Sequence, residues 1–271
     1  MADVKIGIAG CAGRMGQTLL RQVAATPGCA IAGGSEAPGS AAIGQDVAAL
    51  AGLPTVGVGV VDNADALFAT CDAVLDFTAP AATVAHARAA AAQGKILIAG
   101  TTGMGAADEA ALGDAAQRTA IVYAANMSVG VNVLAQVVKQ VAALLGPDAF
   151  DIEIVEMHHR NKVDAPSGTA LLLGRAAARG RGVDLDAMAD RGRDGITGAR
   201  QTGHIGFASL RGGSVPGDHT VVFASDSERL ELTHRAQDRS LFAAGAVRAA
   251  LWAQGKPAGL YDMTDVLGLK D

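Results

Sequence analysis

The tightest constraint on the fold of this chain is its opening segment. Val4 to Ala9 is a short apolar run ending in Gly10-Cys11-Ala12-Gly13-Arg14-Met15-Gly16, after which Met15, Leu19, Leu20 and Val23 recur at helical spacing as far as Pro27. Strand, glycine turn and helix thus follow one another directly. Glycine lets the backbone reverse tightly and bring its N–H groups close to a pyrophosphate, to which a helix N-terminus offers partial positive charge. The spacing is G-x-x-G-x-x-G, a variant of the usual G-x-G-x-x-G, so the turn needs its context. A second apolar run, Cys29 to Gly33, supplies it by ending near Glu36, twenty residues beyond Gly16, where an acid accepts hydrogen bonds from an adenosine ribose. Glycines kept for helix–sheet packing and a solvated Glu36 would explain each residue singly, but not their order.

The α/β alternation continues. Residues 37–57 are rich in glycine and proline and read as a loop with at most one helical turn. Val56 to Val61 is expected as a strand, Ala64 to Ala69 as a short helix, and Ala73 to Phe77 as a strand running into Thr78. Pro80 opens a helix that Gly94 closes. Lys95 to Ala99 runs into Gly100-Thr101-Thr102-Gly103, and Ala120 to Ala124 into Ala125-Asn126-Met127-Ser128. In an open parallel sheet the carboxyl ends of the strands line the ligand crevice, which would gather Thr78, Gly100, Thr101, Thr102 and Asn126 beside a dinucleotide.

Composition narrows the partners. With 271 residues the chain can build real cores without a disulfide or metal staple. A net charge of -5 provides no basic field for nucleic acid, so an anionic substrate must be held by a local positive cluster. Cys11, Cys29 and Cys71 are scattered, as expected in a reducing cytoplasm. No apolar run approaches the roughly 20 residues of a membrane helix.

That positive cluster lies in the second half. Val129 to Leu145 reads as a long helix linking two domains. Asp151 to Met157 alternates as a strand and delivers the loop His158-His159-Arg160-Asn161-Lys162-Val163-Asp164-Ala165-Pro166. Ser167 is a good N-cap for a helix beginning with Gly168 and Thr169, whose free N–H groups form a carboxylate site. Two imidazoles, an ammonium and that helix end would hold a small dianion. Glu156 with the histidines invites a metal, but adjacent strand residues point to opposite faces and no further ligand set has suitable spacing, so no metal is expected. Lys162 as a solvated charge and Asp164 as a turn residue are the blander readings. Gly174 to about His204 reads as a helix end plus surface loop. Ile205 to Leu210, His219 to Ala224 and Glu228 to Arg235 read as antiparallel strands, and Ser240 to Gln254 as a closing helix.

Together these stretches resemble the 4-hydroxy-tetrahydrodipicolinate reductase (dihydrodipicolinate reductase) family. The resemblance runs end to end through GCAGRMG, DFT, GTTG, AANMSVGVN, EMHHRNKVDAPSGTA, GHIGFASLRGG, ERLELTHRA and GLYDM. It implies an α/β chain with a Rossmann-type dinucleotide-binding domain, residues 1–127 and 240–271. An α+β domain with a mixed or antiparallel sheet, residues 128–239, would bind substrate and build a homotetramer. It further implies reduction with NADH or NADPH in lysine and diaminopimelate synthesis. His158 and Lys162 would be the proton-transfer groups, and His159, Gly168 and Thr169 would bind the substrate carboxylates. Gly10, Cys11, Ala12, Gly13, Arg14, Met15, Glu36, Gly100, Thr101, Thr102, Ala124, Ala125, Asn126 and Met127 would touch the dinucleotide. Two positions depart from the pattern: Met127 stands where many relatives carry phenylalanine, and Ala37 where some carry an arginine that would pair with a 2′-phosphate. Without that arginine, Glu36 favours a free ribose and hence NADH.

Two rivals follow from the same residues. An aspartate dehydrogenase-like enzyme would share the two-domain plan but not the His-His-Lys loop beside Ser-Gly-Thr. A non-catalytic dinucleotide sensor would need no buried proton donor.

Overall fold

The computed structural model describes residues 2–270, so the two ends of the expected first domain, Met1 and Asp271, lie outside the described residues. The chain forms two compact units, Met1–Val129 with Arg239–Asp271, and Gly130–Asp238.

The first unit runs β1 (Val4–Ala9), α1 (Arg14–Ala25), β2 (Cys29–Ser35), α2 (Ala64–Thr70), β3 (Ala73–Asp76), α3 (Pro80–Gln93), β4 (Ile96–Ala99), α4 (Ala106–Ala116) and β5 (Ala120–Tyr123). All sheet pairings are parallel, in the order β5-β4-β3-β1-β2. Alternation decides the layers. Leu75, Ile98 and Val122 point into a core with Leu19, Leu20 and Val23 of α1, whereas Val74, Leu97 and Ile121 point into one with Leu67, Phe68 and Leu112. Buried on both faces, these short strands read as continuous apolar runs. Each fully buried Leu or Ile contributes about 2 kcal/mol.

Val56 to Val61 does not form the expected strand. Gly57 takes φ +74°, and the segment makes only isolated bridges, Ser35 with Val61 and Asp46 with Gly59. The segment instead folds back on residues 42–48, with Val60 N–H donating to Gln45 O at 2.9 Å and Val47 N–H to Val58 O at 2.9 Å. Residues 37–57 contain a single short helical turn, Ala49–Ala51.

The second unit takes in most of α5 (Val129–Leu144), then β6 (Asp151–His158), α6 (Gly168–Arg181), α7 (Leu185–Met188), β7 (Ala189–Asp190), β8 (Ile205–Arg211), β9 (Asp218–Ala224) and β10 (Arg229–Arg235). Its sheet has the order β10-β9-β6-β8-β7. β9 pairs antiparallel with β6 and β10, but β8 runs parallel to β6, contrary to the expectation that all three later strands are antiparallel. The reason is topological: α6 carries the chain across the sheet between β6 and β8, and such a crossover returns the next strand in the same direction. The region from Gly174, expected as a helix end plus surface loop, begins as one: α6 continues to Arg181, ends at Gly182 with φ +68°, and is pinned by Arg181, which donates to Ala142 O at 3.1 Å and Phe150 O at 2.8 Å, but the short α7 and β7 follow before the loop.

The last segment belongs to the first unit, as α8 (Ser240–Trp252), β11 (Gly259–Tyr261) and α9 (Met263–Leu267). β11 extends the parallel sheet beside β5. No helix among the described residues is long and apolar enough to cross a membrane.

Candidate active site

In the second unit, β6 alternates a buried face, Ile152, Ile154, Glu156 and His158, with a half-exposed face, Asp151, Glu153, Val155 and Met157. The buried face begins in the core and ends in two ionisable groups. His158 Nδ1 lies 2.5 Å from Glu156 Oε2, and Arg211 of the adjacent β8 grips the same carboxylate with Nη1 to Oε2 and Nη2 to Oε1, both 2.8 Å. The backbone N–H of Ser167 donates to Glu156 Oε1 at 3.2 Å. Burial alone would raise the Glu156 carboxyl, but the hydrogen bonds from Arg211 and His158 outweigh it and hold it at about 2. Burial pushes His158 below its ordinary value, a shift only partly offset by Glu156. His219 on β9 meets the His158 ring edge to face, centroids 5.1 Å apart, and burial with the nearby His158 charge lowers it to about 4.

The loop after β6 is held by the chain beyond β8. His159 N–H donates to Val215 O at 2.8 Å, and Gly212 N–H to His158 O at 2.9 Å. Lys162 Nζ donates to Asp164 Oδ1 at 2.7 Å, and this bond lowers the Asp164 carboxyl. Lys162 is therefore no lone solvated charge, and Asp164 does more than turn the backbone. The Ala165–Pro166 peptide is cis. Ser167 caps α6, accepting from Ala170 N–H at 3.1 Å. Gly168 is exposed, and a Cβ built on it would meet nothing within 4 Å, so open space lies beside the first turn of α6. Thr169 is half-buried, and His159 is half-buried with its Nδ1 unpartnered among the described residues. A buried neutral imidazole, an ammonium and an exposed helix start thus share one connection, a set able to bind a small dianion and exchange protons with it.

In the first unit, β2 and β3 flank β1, so successive connections leave β1 on opposite sides and a crevice opens at the strands' carboxyl ends. Gly10, at φ +67°, starts the turn, with its N–H on Ser35 O at 2.9 Å. A Cβ on Gly16 would stand 2.2 Å from Gly10 O, so only glycine lets α1 start this close to the turn. Glu36 accepts the Ala12 N–H at 2.8 Å through Oε1, which places its charge at the turn rather than in solvent. Arg14 is exposed, and Met15 packs partly on the core.

The other strand ends divide by accessibility. Thr102 and Ala125 are exposed, and Ala124 and Asn126 are half-buried. Gly100 packs on the Phe77 ring. Cys11, Thr101 and Met127 are buried, the last within the core that also holds Ala243 and Val247 of α8. The Thr101 hydroxyl accepts from Thr83 Oγ1 at 2.7 Å, and Thr78 Oγ1 donates to the buried Asp76 at 2.6 Å. The side chains of Cys11, Thr101 and Met127 are buried, so a contact from these residues would come through the backbone. Asp76 is also bonded to His86 Nδ1, at 2.8 Å, a pairing that the sequence reading did not anticipate.

Sequence reasoning also missed the partners of His158. The signal was present: the alternation that separates Glu156 from Met157 puts Glu156 and His158 on one face, and a carboxylate in the buried register of a strand requires a partner. Arg211 and His219 come from strands whose adjacency the sequence does not announce.

Residues 4–127 match the family described as dihydrodipicolinate reductase, N-terminus, and residues 130–267 match dihydrodipicolinate reductase, C-terminus. The chain belongs to the dihydrodipicolinate reductase family. Within that family it is 56% identical over 271 residues to the 4-hydroxy-tetrahydrodipicolinate reductase of Rhodopseudomonas palustris (strain BisB18), covering 100% of both chains. It is 55% identical to that of Bradyrhizobium diazoefficiens, again over 100% of both. The fold is that of a dipicolinate-bound dihydrodipicolinate reductase from Paenisporosarcina sp. TG-14, with TM-score 0.78 at 22% identity over 97% of this chain and 98% of the other.

Proposed function

We propose that this chain is an NAD(P)H-dependent oxidoreductase that reduces 4-hydroxy-tetrahydrodipicolinate to tetrahydrodipicolinate, a step of lysine and diaminopimelate synthesis, with NADH the preferred donor. The observation that carries the reading is the grouping of His158, Lys162 and the open start of α6 on one strand–loop–helix connection, in a chain of this family. In it, residues 1–127 with 240–271 bind the dinucleotide, and residues 128–239 bind the substrate.

When bound, the dihydronicotinamide supplies the hydride. Gly10 to Gly13, whose N–H groups are engaged within the turn, would shape the cradle, the N–H groups of Arg14 and Met15 at the start of α1 would meet the pyrophosphate, and Glu36 the adenosine ribose, with Gly100 to Thr102 and Ala124 to Met127 along the crevice. One substrate carboxylate would sit on the N–H groups of Gly168 and Thr169, with His159 beside it. Hydride addition to a conjugated imine leaves electron density that a proton must quench; the Lys162 ammonium would provide it, and His158 would exchange a proton through Nε2, accepting one before it gives one. The Lys162 charge would also stabilise the density as it develops. Glu36 followed by Ala37, with the carboxylate already anchored on Ala12 N–H, supports NADH over NADPH.

We further place the enzyme in the cytoplasm as a homotetramer. Three free cysteines suit a reducing compartment. The outward face of the second sheet pairs Val155 with Ala208 and Met157 with the half-exposed Leu210, an apolar surface suited to a subunit contact.

A coupled assay with freshly generated lysine-pathway substrate tests the activity. His158→Gln and Lys162→Met should each lower kcat by about 100-fold while the dissociation constant for NADH stays within about twofold. Full activity in the double alanine variant would remove the catalytic role of this loop, and a clearly lower dissociation constant for NADPH would overturn the cofactor preference.

A further inference from the structure

Proton transfer by His158 leaves one buried group without a part, the carboxylate of Glu156. An ionised carboxylate only accepts hydrogen bonds, so His158 Nδ1, 2.5 Å from Oε2, is the nitrogen that carries the proton. The neutral ring then presents its lone pair on Nε2. That side is kept clear by Gly217, where a Cβ would stand 2.9 Å from Nε2. Arg211 fixes the carboxylate in turn through two parallel bonds of 2.8 Å, a geometry that selects one orientation of the carboxylate plane. The same guanidinium donates from Nη2 to the carbonyl of Asp164 at 2.6 Å, and the Asp164 side chain holds Lys162 Nζ at 2.7 Å. One continuous set of bonds therefore runs from His158 through Glu156, Arg211 and Asp164 to Lys162.

We propose that Glu156 and Arg211 are positioning residues for the reduction. Glu156 holds the His158 ring with its proton on Nδ1 and Nε2 free to exchange a proton with the substrate. Arg211 locks Glu156 and ties it to the loop that carries Lys162. The inference rests on the reading of His158 as a proton-transfer group. A purely structural ion pair would do as well with any tautomer of His158, because apolar replacement of such pairs is often neutral for stability. A positioning pair specifies one tautomer, since only with the proton on Nδ1 does Nε2 face the substrate as a proton acceptor.

The tautomer is directly measurable. In protein carrying ¹⁵N-labelled histidine, the His158 signal, assigned by its loss in His158→Gln, should show a protonated Nδ1 and a bare Nε2 at neutral pH. Glu156→Gln offers an amide donor to Nδ1, so it should move the proton to Nε2 and lower kcat by about 100-fold, with NADH affinity changed less than about twofold. Adding Glu156→Gln to His158→Gln should cost less than about a further twofold, because the two act as one unit. A proton on Nε2 in the native protein overturns the proposal whether or not the variant folds, and so does a native kcat in folded Glu156→Gln. If His158→Gln alone keeps native kcat, the catalytic reading of His158 falls together with the positioning role. If His158→Gln is crippled and Glu156→Gln is not, only the positioning role falls.

Discussion

The Ser167 hydroxyl stands 3.1 Å from His219 Nε2, although 52 positions separate the two residues. The contact joins the N-cap of α6 to β9, the strand between β6 and β10, and both groups are buried. His219 is held neutral there, its pKa lowered to about 4 from an ordinary 6.5 by burial first and the neighbouring His158 charge second. The unfolded chain therefore takes up this proton before the folded one does. Stability from this group is fully present above pH 6.5 and is lost as pH falls towards 4, by about 3 kcal/mol. Urea unfolding across that window should show the loss in the native protein and a much flatter profile in His219→Asn. Parallel profiles would rule out a buried, neutral His219.

Glu156 defines a second, more acidic window. Its carboxyl is held at about 2 against an ordinary 4.5, because the bonds from Arg211 and His158 exceed the burial penalty. Its contribution is present above pH 4.5 and is lost as pH falls through 2. Glu156→Gln should be less stable than the native protein at pH 7, since it leaves the Arg211 charge without its carboxylate, and the gap should narrow below pH 4. A gap of constant size from pH 7 to pH 3 would contradict the ionised pair.

These two windows arise from contacts that the sequence conveyed unevenly. β1, the glycine turn and α1 were legible because a short apolar run and a period-3.6 pattern meet there at a glycine whose positive φ the turn requires. His158, Lys162 and Ser167 were legible because they crowd one loop. Arg211 and His219 were not, since they reach His158 only through the pairing of β6 with β8 and β9, and register between distant strands is set by packing. The parallel direction of β8 was recoverable in principle, because a strand, a helix and a strand in succession imply a crossover. Mixed charge hid the rest. Residues 175–204 look solvated, yet Arg200 reaches Asp151 at 2.7 Å and Glu153 at 2.9 Å, and Arg193 grips Glu153 with two bonds.

The glycines of the turn are expected to be unequal. A Cβ on Gly13 would meet only Gly10 O, at 3.3 Å, whereas on Gly16 it would meet Gly10 O at 2.2 Å and the Cys11 backbone at 2.7 Å. Backbone cannot yield as a flexible side chain does, so Gly16→Ala must displace α1 from the turn. We expect it to cost about 2 kcal/mol and to weaken NADH by at least about tenfold, with Gly13→Ala milder in both respects. Denaturant unfolding and fluorescence titration of NADH separate the two effects. Equal behaviour of the two variants would mean that the helix start does not set the cradle.

In the proposed reading, cofactor choice turns on what stands beside Glu36. Its Oε1 is engaged by Ala12 N–H at 2.8 Å, so swinging the carboxylate away from an incoming 2′-phosphate forfeits a charge-assisted bond. The next position, Ala37, is exposed and brings no charge to offset the repulsion. Ala37→Arg supplies a guanidinium at the ribose edge without disturbing the core. One new charge-assisted contact of about 1.4 kcal/mol should tighten NADPH by about tenfold and leave NADH within about twofold. Because the site is open, the gain should shrink as ionic strength rises, the mark of a screened surface charge. Titration of both cofactors against native protein and variant at low and high salt reads all three expectations. An unchanged NADPH dissociation constant in Ala37→Arg would show that the 2′-phosphate is not presented at the end of β2, and the basis for preferring NADH would go with it.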